Sequence, residues 1–174
     1  MLFFGVKWIL KTLKAKEIIE FPLMEGERDV EIKRTGLFAL YILGVRSVDY
    51  SPHFKIKIEN RENGKTVTSK ENAVQMRFHK KQKMGIEYLN FSISMIGVYK
   101  IKIEKPENLI VKQTMLRTII PFQSSSPIEN IQLLIKETVP ISQKILGIIF
   151  LIVGLNLSTW GIMLGINPGL FGIQ

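Results

Sequence analysis

The pattern of apolar and polar positions divides the chain into three stretches with different periods. Near the amino end, Leu2, Phe3, Val6, Ile9, Leu10 and Leu13 form one stripe at helical spacing, Lys7, Lys11 and Lys14 form another, and Trp8 lies at their boundary. This spacing predicts a basic amphipathic helix over 1–16, lying in the headgroup plane of a membrane with its lysines reaching anionic lipid. From Glu17 to Glu137 the period falls to two. Phe54-Lys55-Ile56-Lys57-Ile58-Glu59 and Tyr99-Lys100-Ile101-Lys102-Ile103-Glu104 alternate without a fault. Val74, Met76 and Phe78 alternate with Gln75, Arg77 and His79, and Leu89, Phe91, Ile93 and Met95 with Asn90, Ser92 and Ser94. Each reads as a strand with one wet face. Ile18–Leu23, Asp29–Lys33, Leu37–Gly44 and Ile131–Lys136 are further strands, with turns at Glu25-Gly26, Glu62-Asn63-Gly64-Lys65, Met84-Gly85 and Pro106–Asn108. The fold class is therefore mainly β: an antiparallel β-sandwich over 17–138, followed by a juxtamembrane segment, 139–144.

Beyond Lys144 both period and charge vanish. Ile145 to Ile166 is 22 residues without a charge, about 33 Å long as a helix against a hydrocarbon core of roughly 30 Å. Thirteen of these residues are Leu, Ile, Val or Phe, which favours insertion by about 4–8 kcal/mol. A soluble helix of this length would show a polar face, and this one shows none. The stretch predicts one carboxy-terminal transmembrane α-helix. Pro140, Ser142 and Lys144 mark its start, Asn167-Pro168-Gly169 breaks it, and 167–174 form a short apolar tail. Gln123-Ser124-Ser125-Ser126-Pro127 is the one linker-like stretch within the preceding domain.

The small residues of the apolar segment share a side. Gly147, Gly154, Ser158, Gly161 and Gly165 lie within about 40° of one line at 100° per residue. Small residues let two helix backbones approach closely in lipid, so this line predicts a helix-packing seam for another membrane protein or a second copy. Asn156 faces the other way.

Charge adds a topology. The chain carries 24 Lys plus Arg against 15 Asp plus Glu, a formal charge of +9, and every charge precedes Ile145. The cytoplasmic side of a span normally holds the cation excess, so the expected arrangement is a single-pass protein of the cell membrane with its domain in the cytoplasm. Lys7 interrupts the first apolar stretch and no small-x-small cleavage pattern follows it, which argues against a cleaved signal peptide. Lys55, Lys57, Lys100, Lys102, Arg77, His79 and Lys81 fall at outward positions of their strands. If those strands are neighbours they form a cationic face for an anionic membrane leaflet or an acidic partner. Nucleic acid fits this face poorly, because the aromatics that could stack on bases point inward. Glu17 to Glu31 has the opposite character, with six acids against Arg28, and could meet the cationic face within one copy or between two.

Candidate chemistry is sparse. The chain has no Cys, two His and two Asp, namely His53, His79, Asp29 and Asp49. No thiolate nucleophile, Cys-ligated metal, spaced His pair or glycine-rich phosphate loop is present in the sequence, and the stock for a Ser-His-Asp triad is thin. The expectation is a binding protein without cofactor, metal or catalytic residues.

An internal echo accompanies the strands. Val30-x-Ile32-x-x-x-Gly36-Leu37-Phe38-x-Leu40-x-Ile42 lines up with Phe91-x-Ile93-x-x-x-Gly97-Val98-Tyr99-x-Ile101-x-Ile103. This strand-turn-Gly-x-aromatic pattern resembles small β-sandwich modules such as GOLD domains and bacterial pre-peptidase C-terminal domains. The resemblance covers about 13 residues twice. It implies a binding module, brings no site residues, and points to a domain facing away from the cytoplasm. Two functions therefore stand at this level. One is a membrane-anchored interaction module, an accessory subunit or immunity-type protein at the inner face of the membrane. The other is an extracytoplasmic receptor or cargo-binding module.

Overall fold

The computed structural model describes residues 2–49, 51–72, 76–80, 82–112 and 130–166. It divides into two compact units, Lys16–Thr138 on one hand and Met1–Ala15 with Val139–Gln174 on the other.

The first unit is an antiparallel β-sandwich. Its strands are β1 (Glu17–Pro22), β2 (Gly26–Ile32), β3 (Gly36–Leu43), β4 (Ser47–Asp49), β5 (Lys55–Asn60), β6 (Ser69–Glu71), β7 (Arg77–Lys80), β8 (Lys83–Ile93), β9 (Gly97–Glu104), β10 (Ile110–Lys112) and β11 (Gln132–Glu137). One sheet runs β1-β11-β3-β8, with β6 and β7 pairing different lengths of the outer edge of β8; the other runs β2-β9-β5; β4 and β10 form a separate pair. The apolar positions of both sheets meet in one core. Phe38, Leu40, Ile42, Phe91, Ile93, Leu133 and Ile135 come from the first sheet, and Val30, Ile32, Ile56, Ile58, Ile101 and Ile103 from the second. Phe38 and Phe91 stack across adjacent strands at 5.8 Å between ring centroids.

The internal echo becomes two interlocked arches. Each copy takes the chain from one sheet to the other, β2 to β3 and β8 to β9. The two copies pair with each other, with Ile32 opposite Gly97 and Gly36 opposite Ile93. Gly36 and Gly97 share the same backbone, φ +143° and +151°, a region that a side chain rarely enters. The Tyr99 hydroxyl donates to the Met95 carbonyl at 2.7 Å and ties down its own arch, much as a tyrosine corner does in other sandwiches.

Several elements differ from the sequence pattern. The three-residue strands β4, β6 and β10 are too short to show a period. The expected strand over 74–79 is β7, from Arg77 on; Val74 and Gln75 lie outside the described residues, as do Lys81, the stretch 123–127 and the tail 167–174. Met84-Gly85, expected as a turn, lies inside β8. The reversal falls just before it, where Gln82 takes φ +66°. The reason for glycine at 85 is packing: a Cβ there would sit 2.4 Å from Phe78 and 2.7 Å from Leu43. Phe78 thereby reaches the outer face of the first sheet, edge-on to Tyr41 at 4.9 Å. Ala39, Tyr41, Leu43 and Leu134 form a second apolar cluster there. Lys80 fastens the hairpin, bonding Glu17 and Glu20 on β1. Partial burial pushes the Lys80 ammonium down, and the two carboxylates outweigh it, so its pKa is raised.

The second unit contains α1 (Leu2–Leu13) and α2 (Ile141–Ile166). The 26 residues of α2 begin four earlier than the apolar run, directly after Pro140.

Candidate functional site: the helix pair and the charged sheet face

The helix α2 is long and apolar enough to cross a membrane. Its buried residues are Lys144, Gly147 and Gly154, Phe150 and Leu151 are half-buried, and its other large apolar side chains are exposed from Ile145 to Ile166. The polar side chains inside the apolar run satisfy themselves on their own helix. Asn156 donates to the Ile152 carbonyl at 2.8 Å, Ser158 to Gly154 at 2.8 Å and Thr159 to Leu155 at 2.9 Å. Pairing of this kind removes the main cost of placing such groups in hydrocarbon.

The small-residue line divides into two halves. Its first half holds α1. A Cβ on Gly147 would lie 3.3 Å from Trp8 Cβ, and one on Gly154 would lie 3.0 Å from Leu2. Gly5, on α1, approaches most closely: a Cβ there would be 2.8 Å from the Leu151 backbone nitrogen and 3.0 Å from the Gly147 carbonyl oxygen. Trp8 stacks on Phe150 at 5.6 Å and 20°. Leu2 beside Gly154 and Trp8 beside Gly147 mean that the helices run antiparallel. Along the second half, Gly161 and Gly165 meet nothing within 4 Å among the described residues.

The apolar stripe of α1 divides between contact with α2 and exposure. Leu2, Gly5, Trp8 and Ile9 turn toward α2, while Phe3, Phe4, Val6 and Leu10 stay exposed. Gly5 decides this, because only a residue without a side chain permits that backbone approach. An apolarity pattern gives glycine little weight, so spacing alone does not single out Gly5.

The expected cationic face is, in the folded sheet, a balanced lattice. Lys55 and Lys57 on β5 and Lys100 and Lys102 on β9 do share one face, but β2 puts Glu27, Asp29 and Glu31 on the same face. Lys100 pairs with Glu27 at 2.9 Å, Lys57 with Glu104 at 2.9 Å and Lys102 with Glu104 at 3.4 Å. Arg61 pairs with Asp29. Arg77 belongs to the other sheet. The acidic stretch thus meets the lysines within one copy. The Lys100 hydrogen bond, followed by its charge, holds Glu27 below the ordinary 4.5. The Lys57 hydrogen bond does the same for Glu104.

Carboxylates held low in the folded state contribute stability that is present above their unfolded pKa and lost as pH falls through the folded one. The sandwich should therefore lose thermal stability as pH drops from about 5 toward 3, and added salt should flatten that slope. Thermal melts at low and high salt across this range check it. A slope unchanged in Glu27→Gln/Glu104→Gln would assign the loss to other acids.

Glu87 is a buried carboxylate held by hydrogen bonds. Tyr41 donates to it at 3.1 Å and Asn72 at 2.7 Å. Burial, then the Glu87 charge, pushes the Tyr41 hydroxyl well above its ordinary 10.0, so it stays a donor. The pair sits at the irregularity between β3 and β8. A cleft of about 370 Å³, lined by Lys16, Asp29, Lys33, Arg34 and Glu137 among others, carries both signs of charge and no histidine. Among the described residues no group of three or more His, Asp and Glu is placed to hold a metal ion.

No protein-family model matches this chain, and no curated protein or solved structure is a match to it.

Proposed function

We propose that this chain is a membrane-anchored β-sandwich that works by binding, with α2 crossing the membrane once and the sandwich on the cytoplasmic side. The observation that carries the reading is the outer surface of α2: charge-free from Ile145, exposed along its length, with its polar side chains bonded back to their own helix. Such a surface has no stable place in water and a favourable one in lipid. Lys11, Lys14 and Lys16 follow the apolar start of α1, and Lys136 and Lys144 precede the apolar run of α2. These lysines suit the anionic leaflet, and the positive-inside bias puts them in the cytoplasm.

Lipid contact is assigned to Lys7, Lys11 and Lys14, since Lys57, Lys100 and Lys102 on the sheet are paired with acids. The partner is another membrane protein or a second copy, packed on the half of the seam at Gly161 and Gly165 that α1 leaves open. An accessory subunit of a membrane complex and an immunity-type protein both work this way.

Sidedness tests the arrangement. The chain has no native Cys, so Asn63→Cys and Gln174→Cys can each be labelled in intact cells with a membrane-impermeant maleimide. Labelling at 174 alone is expected. Labelling at 63 alone would place the sandwich outside, and the receptor or cargo-binding reading that accompanies the GOLD-like echo would replace this one.

A further inference from the structure

We infer that α1 is not a helix lying flat on the membrane but a half-span: it enters the bilayer upright beside α2, amino end deepest, and presents Phe3, Phe4, Val6 and Leu10 to lipid acyl chains. The inference rests on reading α2 as a membrane span and adds a second embedded element to it.

Depth follows from the antiparallel contact. Leu2 touches Gly154, nine residues beyond Ile145, so at 1.5 Å per residue it lies about 13 Å inside the apolar boundary. Half of a 30 Å hydrocarbon core is about 15 Å, which puts the first turn of α1 near the bilayer midplane. Ile9 packs beside Gly147, so Leu10 and Lys11 come level with the start of the apolar run.

The composition of α1 is graded along its axis in the same sense. Leu2, Phe3, Phe4, Gly5 and Val6 carry no charge, and Lys7, Lys11, Lys14 and Lys16 follow. A helix lying flat wants its charges on one side along its whole length, whereas an upright one wants them at one end. With α2 against one face, the other face still exposes Phe3 at 72 % and Phe4 at 53 %, beside the part of α2 that is itself clothed in exposed Ile, Leu and Val. Acyl chains are the occupant that covers both at once.

A flat helix would place every residue of its apolar face at one depth, about 5–10 Å below the headgroup boundary. An upright α1 separates positions 3 and 10 by about 10 Å. The only tryptophans are Trp8 and Trp160. The full chain, carrying Trp8→Phe and Trp160→Phe, is given Phe3→Trp or Leu10→Trp and reconstituted into vesicles of phosphatidylcholine and phosphatidylglycerol. The lipid carries bromine either near the headgroup or near the methyl end of the chain. Both probe positions are exposed, so the larger ring can be accommodated at the surface of α1.

The expected result is that Phe3→Trp is quenched more by the deep bromine and Leu10→Trp more by the shallow one. Equal depth at the two positions overturns the upright helix. Loss of quenching at position 3 alone also overturns it, because a protein partner would then cover that face. A chain retaining Trp160 as its single tryptophan separates the two levels of the argument. If Trp160 escapes bromine at both depths, the span itself fails and the inference goes with it. If Trp160 is quenched while positions 3 and 10 match, only the half-span fails.

Discussion

Gly5→Leu should release α1 from α2. The Cβ it introduces would lie 2.8 Å from one backbone atom of α2 and 3.0 Å from another. Neither can turn aside as a side chain end can, so the whole helix must move. Overpacking of this kind costs about 1–3 kcal/mol, which lowers the ratio of docked to released α1 by roughly 5- to 150-fold. A cross-link reads it directly. The Cβ positions of 8 and 147 are 3.3 Å apart, just under the usual disulfide separation of about 3.5–4.5 Å. The chain lacks any other thiol, so Trp8→Cys/Gly147→Cys should close an intrachain bridge on mild oxidation. Adding Gly5→Leu should strongly reduce its yield. An undiminished yield would mean that the close approach at Gly5 is not what positions the helices. The same substitution should erase the depth difference between positions 3 and 10, because a released α1 is free to lie along the interface.

The second large effect belongs to the sandwich. Phe38→Ala removes a fully buried ring from the central strand β3, its partner Phe91 lying 5.8 Å away. A buried Phe→Ala change costs about 3–5 kcal/mol, against a total of about 5–15 kcal/mol for a domain of this kind. In urea, with a slope of about 1–3 kcal/mol per molar, the midpoint should fall by roughly 2 M. Circular dichroism of the full chain in detergent follows the β signal, and Ile96→Ala, at an exposed turn, should move the midpoint little. A comparably small shift for Phe38→Ala would show that the two sheets close over the cavity. Because α1 and α2 belong to the other unit, the bridge between positions 8 and 147 should form in Phe38→Ala as in the parent chain. That contrast separates loss of the sandwich from loss of the helix pair.

Most of the architecture was legible because the periods are clean. Alternation located β1, β2, β3, β5, β8, β9 and β11 to within a few residues, with the largest error at the start of β8. There Gly85 reads as a turn, while a ring from β7 makes it a strand residue. The charge-free run from Ile145 announced a helix fit to cross a membrane, since nothing polar remained for a wet face. The 13-residue echo announced two similar strand pairs, and the structure gives the glycines at 36 and 97 the same positive φ.

Sequence alone therefore determined which segments are strand and helix, which faces are apolar, and where charge stops. These are local properties, set by side-chain spacing against a period of two or 3.6. Tertiary structure alone decided which faces meet. It set the acids of β2 among the lysines of β9 and β5, and so neutralised a face that looks cationic when its strands are read one at a time. It also put Gly5 against Gly147 and Leu151 and split the glycine line into a filled and an open half. Neighbours far apart in the chain are chosen by complementarity of shape and charge between surfaces. A one-dimensional pattern records each surface and leaves out the choice between them.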